Sequence, residues 1–316
     1  MKRKTLLHLL EALFGLFLFG LALWILHREL HQYPPRRILA QLRQMPRAHL
    51  LLGFLLTGLS YLLLTGYDTL AFRYLRHPLS YQKIGLASFI GYAVGNNTGS
   101  LSVVAGSGVR FRLYSAWGLT PLQITKVVVF CFLTFWLGFL FLGGTVFFLK
   151  PFPLPPSLHV PEHILRVLGL VFLALVAFYL LIVHLRKKPL IIGIKSFNLP
   201  PMKLSLIQIL LASLDWALAG SVLYALLPGD FPFSYPAFLS IFMLAQVIGL
   251  VSQVPGGLGV FESMFILLLP DSVSHAATLG SLLVFRSMYY FLPLALAALW
   301  FGIYEVLFLR RKRRRR

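Results

Sequence analysis

Ionisable side chains interrupt the apolar stretches of this 316-residue sequence at Asp215, Glu262 and Arg286. A charged group in an apolar environment is costly unless it is paired or neutralised, so each is a candidate functional residue. Glu262 either stabilises the start of a helix that follows Gly259, where the helix dipole favours an anion, or lines a substrate path. Asp215 is either functional or a structural hydrogen-bond partner. A turn at 270–271 would let Glu262 and Arg286 form an ion pair.

A second group of polar residues combines two arginines with aromatic residues. In SGVRFRLYSAWGL, Arg110 and Arg112 alternate with apolar residues, and Tyr114 and Trp117 follow closely. Guanidinium groups bind a phosphate through two parallel hydrogen bonds, which favours a phosphate-binding interpretation. Basic and aromatic residues are also ordinary anchors at a membrane surface, and this alternative stays open.

Two apolar regions, 83–105 and 236–269, are each broken in the middle by residues that disfavour a continuous helix. The first contains Asn96 and Asn97, and the second contains Pro255, Gly256, Gly257 and Gly259. Irregular backbone inside a membrane is tolerated only where protein or water satisfies its hydrogen bonds. The asparagines therefore either cap the local break and bridge helices or line a polar path. The second break is a candidate part of the same path.

No motif of a familiar catalytic or metal centre accompanies these residues. The sequence lacks G-x-x-x-x-G-K-[ST], H-E-x-x-H, G-x-S-x-G and C-x-x-C. His27 and His31 are four residues apart beside arginines, which favours headgroup contact over a metal site. The single cysteine, Cys131, lies in an apolar run and is interpreted as a structural thiol. We therefore expect no cofactor, no metal ion and no catalytic residue in this chain.

The composition indicates an all-α integral membrane protein. Hydrophobic residues make up 58% of the sequence and charged residues 12%, where an ordinary globular domain has about 25% charged residues. A run of about 20 apolar residues can cross a hydrocarbon core about 30 Å thick. Full spans are predicted at 6–26, 49–70, 123–149, 163–185, 204–227 and 276–309.

Basic residues outside the spans predict the topology. The net charge of +20 is concentrated outside the apolar runs, and the basic amino terminus, 186–203 loop and 310–316 tail are predicted to be cytoplasmic. The connections at 151–161 and 227–236 carry almost no basic charge and are predicted to be external. The same charge indicates contact with lipid headgroups, and no nucleic-acid partner is expected.

This topology is consistent only if neither broken region crosses the membrane. The sequence therefore predicts two re-entrant helical hairpins, one from each side. The loop at 27–49 conflicts with the scheme, because it holds five arginines and the scheme places it on the external side of the membrane. Either 35–45 forms an amphipathic helix at the interface, or the first two spans are arranged differently.

The two broken regions resemble each other. GSGVRFR begins at Gly106 and GLGVFES at Gly257, with two glycines and a valine in common. Either the similarity is chance in a low-diversity apolar sequence, or the chain contains an inverted repeat with a site between its halves. On the repeat interpretation the halves are roughly 50–149 and 204–309. They form one membrane domain at 1–309, before the basic tail.

The same residues carry a family resemblance. SGVRFRLYSAWGLTPLQITKVVVF at 107–130 resembles the Arg-x-Arg-x-Tyr stretch of the membrane domain of the lysylphosphatidylglycerol synthase (multiple peptide resistance factor) family and its stand-alone flippase-like relatives. VPGGLGVFE at 254–262 is similar to that family's Pro-Gly-Gly-x-Gly-x-x-Glu signature. Arg286 in LLVFRSMYY is similar to an arginine in the family's last helix. The resemblance covers about 50–309.

The resemblance implies a membrane domain that handles anionic phospholipid and, in some members, moves aminoacylated phosphatidylglycerol between leaflets. Bifunctional members add a cytosolic domain that transfers lysine or alanine from aminoacyl-tRNA, and the residues up to Arg316 leave no length for one. The matching positions, with the two asparagines added from the break, are the predicted lipid-binding residues: Asn96, Asn97, Arg110, Arg112, Tyr114, Pro255, Gly256, Gly257, Gly259, Glu262 and Arg286.

We therefore expect binding and flipping of an anionic or modified phospholipid across a bacterial or archaeal cytoplasmic membrane. The alternative is the membrane module of a phosphatidylglycerol lysyltransferase-type enzyme whose catalytic domain is a separate polypeptide. A structural scaffold without transport is a third interpretation. The expected partners are membrane phospholipids and, on the alternative, a separate transferase.

Overall fold

A computed structural model describes most of the chain. The described residues are 35–98, 102–149, 163–186, 199–229, 231–252 and 259–314 except 271, together with residues 20, 24, 152, 190–192, 195–197, 254 and 257. The helices are α1 (Pro35–Gln44), α2 (Arg47–Leu75), α3 (Tyr81–Asn96), α4 (Ser102–Ala116), α5 (Pro121–Leu149), α6 (His163–Leu185), α7 (Met202–Leu226), α8 (Tyr235–Val251), α9 (Val260–Leu267), α10 (His275–Arg286) and α11 (Leu292–Arg314). A π-helical segment (Ser287–Phe291) joins α10 to α11, and β1 (Leu190–Ile192) pairs antiparallel with β2 (Lys195–Phe197).

Five of these elements are long and apolar enough to cross a membrane: α2, α5, α6, α7 and the continuous run His275–Phe308. Their bounds agree closely with five of the predicted spans. The sixth, 6–26, falls almost wholly outside the described residues. Helix α6 exposes Val167, Phe178 and Leu181, as expected for a helix that faces lipid. The protein is an all-α, multi-pass membrane protein.

Each of the two broken regions folds as a pair of short helices. The first consists of α3 and α4, which pack along each other, and the second of α8 and α9. The longest of the four, α8, has 17 residues and is about 26 Å long, which is less than the roughly 30 Å of a hydrocarbon core. Helix α4 extends to Ala116, well past the predicted limit of 105. Arg110 and Arg112 are therefore helical.

The two helix pairs enter the bundle from opposite ends. Both outer ends of α3 and α4 lie where α2 ends and α5 begins. The outer ends of α8 and α9 follow α7 and precede α10, and the starts of α2 and α10 meet the end of α7 around one cleft. The tips of the two pairs therefore face each other inside the bundle. A long, short, short, long order of helices occurs in both predicted halves, whose inverted relation remains a prediction.

Pro293 accounts for the π-helical segment. Its ring lacks an N–H and clashes with the carbonyl four residues earlier, that of Tyr289. The Tyr61 hydroxyl donates to this carbonyl at 3.2 Å. The next carbonyl, that of Tyr290, accepts a bond from Asn97 Nδ2 at 3.4 Å. Side chains of α2 and α3 thus satisfy backbone groups that the widened helix frees.

Two smaller elements belong to stretches that the sequence placed between spans. A helix at 35–45, one of the two alternatives for this loop, corresponds to α1, which packs against α10 with the Gln41 side chain against Gly280. In the 186–203 loop, β1 and β2 form a short hairpin in which Ile191 lies opposite Ser196. The sequence did not predict these strands.

Candidate functional site

A cavity of about 480 Å³ lies where the tips of the two helix pairs meet α5, α7 and the π-helical segment. Its size is within the range of small-ligand sites, about 300–1,000 Å³. Its polar lining consists of Tyr92, Asn96, Ser107, Arg110, Asp215, Gln246, Arg286, Tyr289 and Tyr290. Aromatic side chains of α5 and α7, including Phe132, Phe135, Trp136 and Trp216, form much of the remaining wall.

Arg110 is fixed on the cavity wall by a carboxylate behind it. Its Nε and Nη2 donate to the two oxygens of Asp68, each at 2.9 Å. Tyr114 donates to the same carboxylate at 2.8 Å, and the ring of Tyr92 lies 4.3 Å from the guanidinium carbon. This bidentate geometry orients the guanidinium and balances its charge. Tyr114 does not line the cavity, and its contact with Asp68 helps to position Arg110.

Two glycines make room for Arg110 between α3 and α4. A Cβ atom at Gly91 would lie 2.9 Å from Arg110 Nη1. A Cβ atom at Gly106 would lie 2.8 Å from the carbonyl oxygen of Gly91. Both distances are too short for ordinary contacts, so the absence of side chains at these positions permits the close approach of the two helices.

Arg286 has an equivalent arrangement in the second half of the chain. Its Nε donates to Glu262 Oε1 at 2.5 Å, and its guanidinium carbon lies 4.7 Å from the ring centre of Tyr290. The other oxygen of Glu262 accepts the Gly259 N–H at 2.9 Å. Glu262 therefore caps its own helix and also pairs with Arg286, as the sequence suggested. Arg286 lines the cavity, whereas Glu262 lies behind it.

The glycine-rich break has the backbone geometry that its composition suggests. Gly257 and Gly259 have φ values of 62° and 74°, a left-handed region that residues with a side chain rarely adopt. Gly257 lines the cavity, and Gly259 is the residue that precedes α9. Pro255 and Gly256 lie outside the described residues.

Arg112 does not share a site with Arg110. Residues separated by two positions in a helix are about 200° apart around its axis, so the side chains of Arg110 and Arg112 leave α4 in different directions. Arg112 Nη2 donates to Glu305 Oε2 at 2.8 Å, and the guanidinium lies 4.6 Å from the ring of Phe308. Within the described residues, no hydrogen-bond partner is present for the buried atoms Arg112 Nε and Glu305 Oε1. The structure thus directs the two arginines, which the sequence allowed as phosphate ligands or as membrane-surface anchors, to different places in the bundle.

The two asparagines of the first break also have separate positions. Asn96 lines the cavity. Asn97 is 2% exposed, and its Nδ2 donates to the carbonyl of Ala93 at 2.8 Å as well as to Tyr290. Asn97 therefore caps the break and bridges helices, whereas the Asn96 side chain lies on the cavity wall beside Tyr61.

Asp215 is a further acid on the cavity wall. It accepts hydrogen bonds from Ser60 at 2.7 Å and from Tyr67 at 3.0 Å. The Ser60 hydroxyl is also 2.9 Å from the hydroxyl of Tyr289. The structural hydrogen bonds expected for Asp215 are present, and the residue is at the same time a lining residue.

The partners of the arginines and part of the cavity lining were not predicted from the sequence. Asp68 and Glu305 lie in apolar helices, and a search for every acid in the predicted spans would have found them. Gln246, Tyr289 and Tyr290 carry no such signal. Within the described residues, no cluster of three histidine, cysteine or acidic side chains that would suit a metal ion is present.

The cavity also reaches the outer surface of the bundle. Helices α5 and α8 contact each other where Ser240 Oγ bonds to the carbonyl of Val146 at 3.1 Å. Farther along, Phe132 of α5 is 44% exposed and Val251 of α8 is 73% exposed, and both line the cavity. The cavity therefore opens sideways between the two helices, onto an apolar surface.

Comparison with known proteins assigns the family. Residues 12–297 match the family described as the lysylphosphatidylglycerol synthase TM region. The chain belongs to this family. The cavity described above, with Arg110 and Arg286 on its wall, lies within the matched residues, as do the two glycine-containing breaks.

Members of two kinds are similar to the chain. "Uncharacterized protein slr0712" of Synechocystis is 41% identical over 96% of this chain and 94% of its own length. The inner membrane protein YbhN of Escherichia coli is 34% identical over 84% of this chain and 82% of its own length. A phosphatidylglycerol lysyltransferase of Staphylococcus aureus is 27% identical over 93% of this chain, which spans only 34% of that enzyme.

Proposed function

We propose that the protein moves an anionic or modified phospholipid between the leaflets of the cytoplasmic membrane. The observation that carries the proposal is the position of Arg110 and Arg286. Both guanidinium groups lie on the wall of one cavity inside a membrane protein, each held by a carboxylate from behind. Such preorganised cations suit a phosphate group, which has no other stabilisation at membrane depth.

The sideways opening fits the other half of a phospholipid. A headgroup can occupy the polar cavity while its acyl chains remain among the exposed apolar side chains of α5 and α8, such as Phe132 and Val251. The lipid then never loses its apolar surroundings. Asn96, Gln246 and Gly257 provide further polar or backbone contacts along the headgroup path.

On this proposal the two short helix pairs are re-entrant hairpins. Each is too short to cross the membrane, and the two approach the cavity from opposite sides of it. With the basic tail at 310–316 in the cytoplasm, α3–α4 enters from the cytoplasmic side and α8–α9 from the outside. The cavity at their tips then lies near the middle of the membrane, where transporters with broken helices place their sites.

Leaflet exchange of a labelled lipid tests the proposal. The purified protein is reconstituted into liposomes that contain tail-labelled fluorescent phosphatidylglycerol, and dithionite is added to quench the outer leaflet. We expect quenching to proceed to the inner-leaflet lipid in proteoliposomes and not in empty liposomes. Exchange no faster than in empty liposomes would exclude the proposed transport.

Paired substitutions connect the exchange to the cavity. Asp68→Asn with Arg110→Gln, and Glu262→Gln with Arg286→Gln, remove the cavity cations without leaving a buried charge unpaired. We expect both double variants to lose most of the exchange. Arg73→Gln is the matched control, because Arg73 is exposed near the end of α2 and does not line the cavity.

A second function is favoured by one observation. The matched lysyltransferases contain this domain as about a third of their length, so a lipid-handling domain can serve a lipid-modifying enzyme. On this alternative the chain presents phospholipid to a separate transferase. Co-purification of a soluble transferase, together with activity that needs both polypeptides and no leaflet exchange, would support it over transport.

A further inference from the structure

The buried charges of the described residues do not balance. Among these residues the buried acids are Asp68, Asp215, Glu262 and Glu305, and the buried basic side chains are Arg110, Arg112 and Arg286. Three of the acids pair one-to-one with the three arginines. Asp215 is the fourth acid, and no cation pairs with it in the part of the chain that the structure describes. An ionised carboxylate without a cation is the costly case inside a membrane.

The groups that face Asp215 are uncharged hydroxyls. From α2 these are Ser60, Tyr67 and the nearby Tyr61, and from the π-helical segment Tyr289. Helix α5 brings the thiol of Cys131 to the same cavity.

In the part of the chain that the structure describes, the other elements packed against α7 bring no further cation to Asp215. Tyr179 of α6 bonds to Gln208 of α7, and Tyr235 of α8 is within bonding distance of Ser221 of α7. Gln208 and Ser221 lie six or seven positions from Asp215 along α7, so neither tyrosine faces the carboxyl group. From α4 and α10, Arg110 and Arg286 share the cavity and are already paired.

The hydrogen bonds around Asp215 can be satisfied in both protonation states. With an ionised carboxylate, Ser60 donates to Asp215 and Tyr289 donates to Ser60. With a protonated carboxyl, Asp215 donates to Ser60 and Ser60 donates to Tyr289, whose own hydrogen turns toward the cavity. The distances of 2.7 Å and 2.9 Å suit either direction, since a hydroxyl both donates and accepts.

An anionic headgroup and an ionised Asp215 in the same cavity would repel each other. Protonation of the carboxyl removes this repulsion, whereas Arg110 and Arg286 remain charged. By linkage, the binding of the anion and the binding of the proton each favour the other.

We infer that Asp215 takes up a proton from water when an anionic phospholipid headgroup enters the cavity, so that lipid movement is coupled to proton movement. The inference rests on the proposed function. The proton adds to a carboxylate oxygen on one side of the membrane and returns to water on the other side as the lipid leaves. One anionic charge and one proton move together, so the transported pair carries no net charge.

Proton uptake by the purified protein is the first test. Dihexanoyl phosphatidylglycerol is added to protein in a weakly buffered solution with a pH indicator, over the pH range in which the protein is folded. We expect about one proton taken up per bound lipid at the pH of greatest uptake, and none with dihexanoylglycerol, which lacks the phosphate. Binding without proton uptake at every pH would overturn the inference, and this result needs no variant.

Liposomes test the coupling itself. We expect an imposed pH gradient to bias the leaflet exchange of labelled phosphatidylglycerol, and a potassium diffusion potential to have no effect. Asp215→Asn cannot take up a proton, so it should lose both the proton uptake and the response of its exchange to the gradient, whereas Tyr67→Phe, which keeps the acid, should retain both.

The two proposals fail in different ways. A wild-type protein that shows no exchange without a gradient contradicts the proposed function. If the pH gradient changes leaflet exchange neither in the wild type nor in Asp215→Asn, only the proton coupling is contradicted.

Discussion

The carboxylate of Glu262 binds two groups that are 27 positions apart in the chain, the backbone N–H of Gly259 at 2.9 Å and the guanidinium of Arg286. One oxygen fixes the start of α9, and the other fixes a cation on the cavity wall. The shape of the glycine-rich break and the position of Arg286 are therefore determined together. This is why an acid follows the break in an otherwise acid-poor sequence.

Loss of the Glu262 charge should destabilise the protein. Glu262→Gln can still accept the Gly259 N–H, but it removes one charge of a buried ion pair, a change that costs about 3–5 kcal/mol. We expect a clearly lower melting temperature in detergent. The double variant Glu262→Gln with Arg286→Gln should recover most of the stability and remain inactive in leaflet exchange. Equal stability of Glu262→Gln and wild type would show that the pair does not stabilise the fold.

The buried pair of Arg112 and Glu305 should be dispensable for transport. Each residue has one buried polar atom that bonds to none of the described residues, so among these the pair makes fewer bonds than its burial requires. Replacement of a buried ion pair by apolar residues is often neutral or stabilising by about 1–4 kcal/mol. We expect Arg112→Met with Glu305→Leu to raise the melting temperature and to keep lipid exchange. A folded double variant without exchange would instead support direct contact between Arg112 and the lipid.

Gly91 and Gly85 provide a matched test on one helix. A Cβ atom at Gly91 would clash with Arg110, whereas nothing lies within 4 Å of a Cβ atom at Gly85. Alanine is favoured over glycine inside a helix by about 1 kcal/mol, so Gly85→Ala should be neutral or mildly stabilising. Gly91→Ala should displace the guanidinium and reduce exchange several-fold. Similar exchange rates in the two variants would contradict the positioning of Arg110 by this contact.

Cys131 offers a natural probe of the cavity. It is the single cysteine of the chain, and its buried side chain lines the cavity. We expect a small uncharged thiol reagent to modify it slowly and phosphatidylglycerol to slow the reaction further. Cys131→Ser should abolish the labelling and retain exchange. Labelling at the same rate with and without lipid would place the lipid elsewhere.

Long apolar runs made the spanning helices predictable, because one physical requirement fixes both their length and their composition. The length of α4 was underestimated because charged residues were taken to mark the end of an apolar helix. Arg110 and Arg112 interrupt the apolar pattern of the sequence, but in the fold Asp68 and Glu305 neutralise them from distant helices. A pairing across 42 or 193 positions leaves no local pattern.

The site was predicted where the constraint is local to the chain. Glycines at 257 and 259 indicate that the backbone adopts positive φ values there. Glu262 follows Gly259 by three positions, the spacing at which an acidic side chain caps a helix start. The role of the π-helical segment depends on Pro293 together with Tyr61 and Asn97, which meet only in the folded bundle. The sequence analysis had no basis for bringing these three residues together.

The separation of ion pairs between the two halves has a consequence for biosynthesis. Asp68 and Arg110 both belong to the amino-terminal half, and Glu262 and Arg286 both belong to the carboxy-terminal half. Each half can therefore neutralise its own cavity arginine as it leaves the ribosome and enters the bilayer. Arg112 can pair with Glu305 only after the final helix has been synthesised. Asp215 contacts Ser60 only after α7 has packed against α2. The Arg112–Glu305 pair, which lies outside the cavity, is thus among the last contacts to form during assembly.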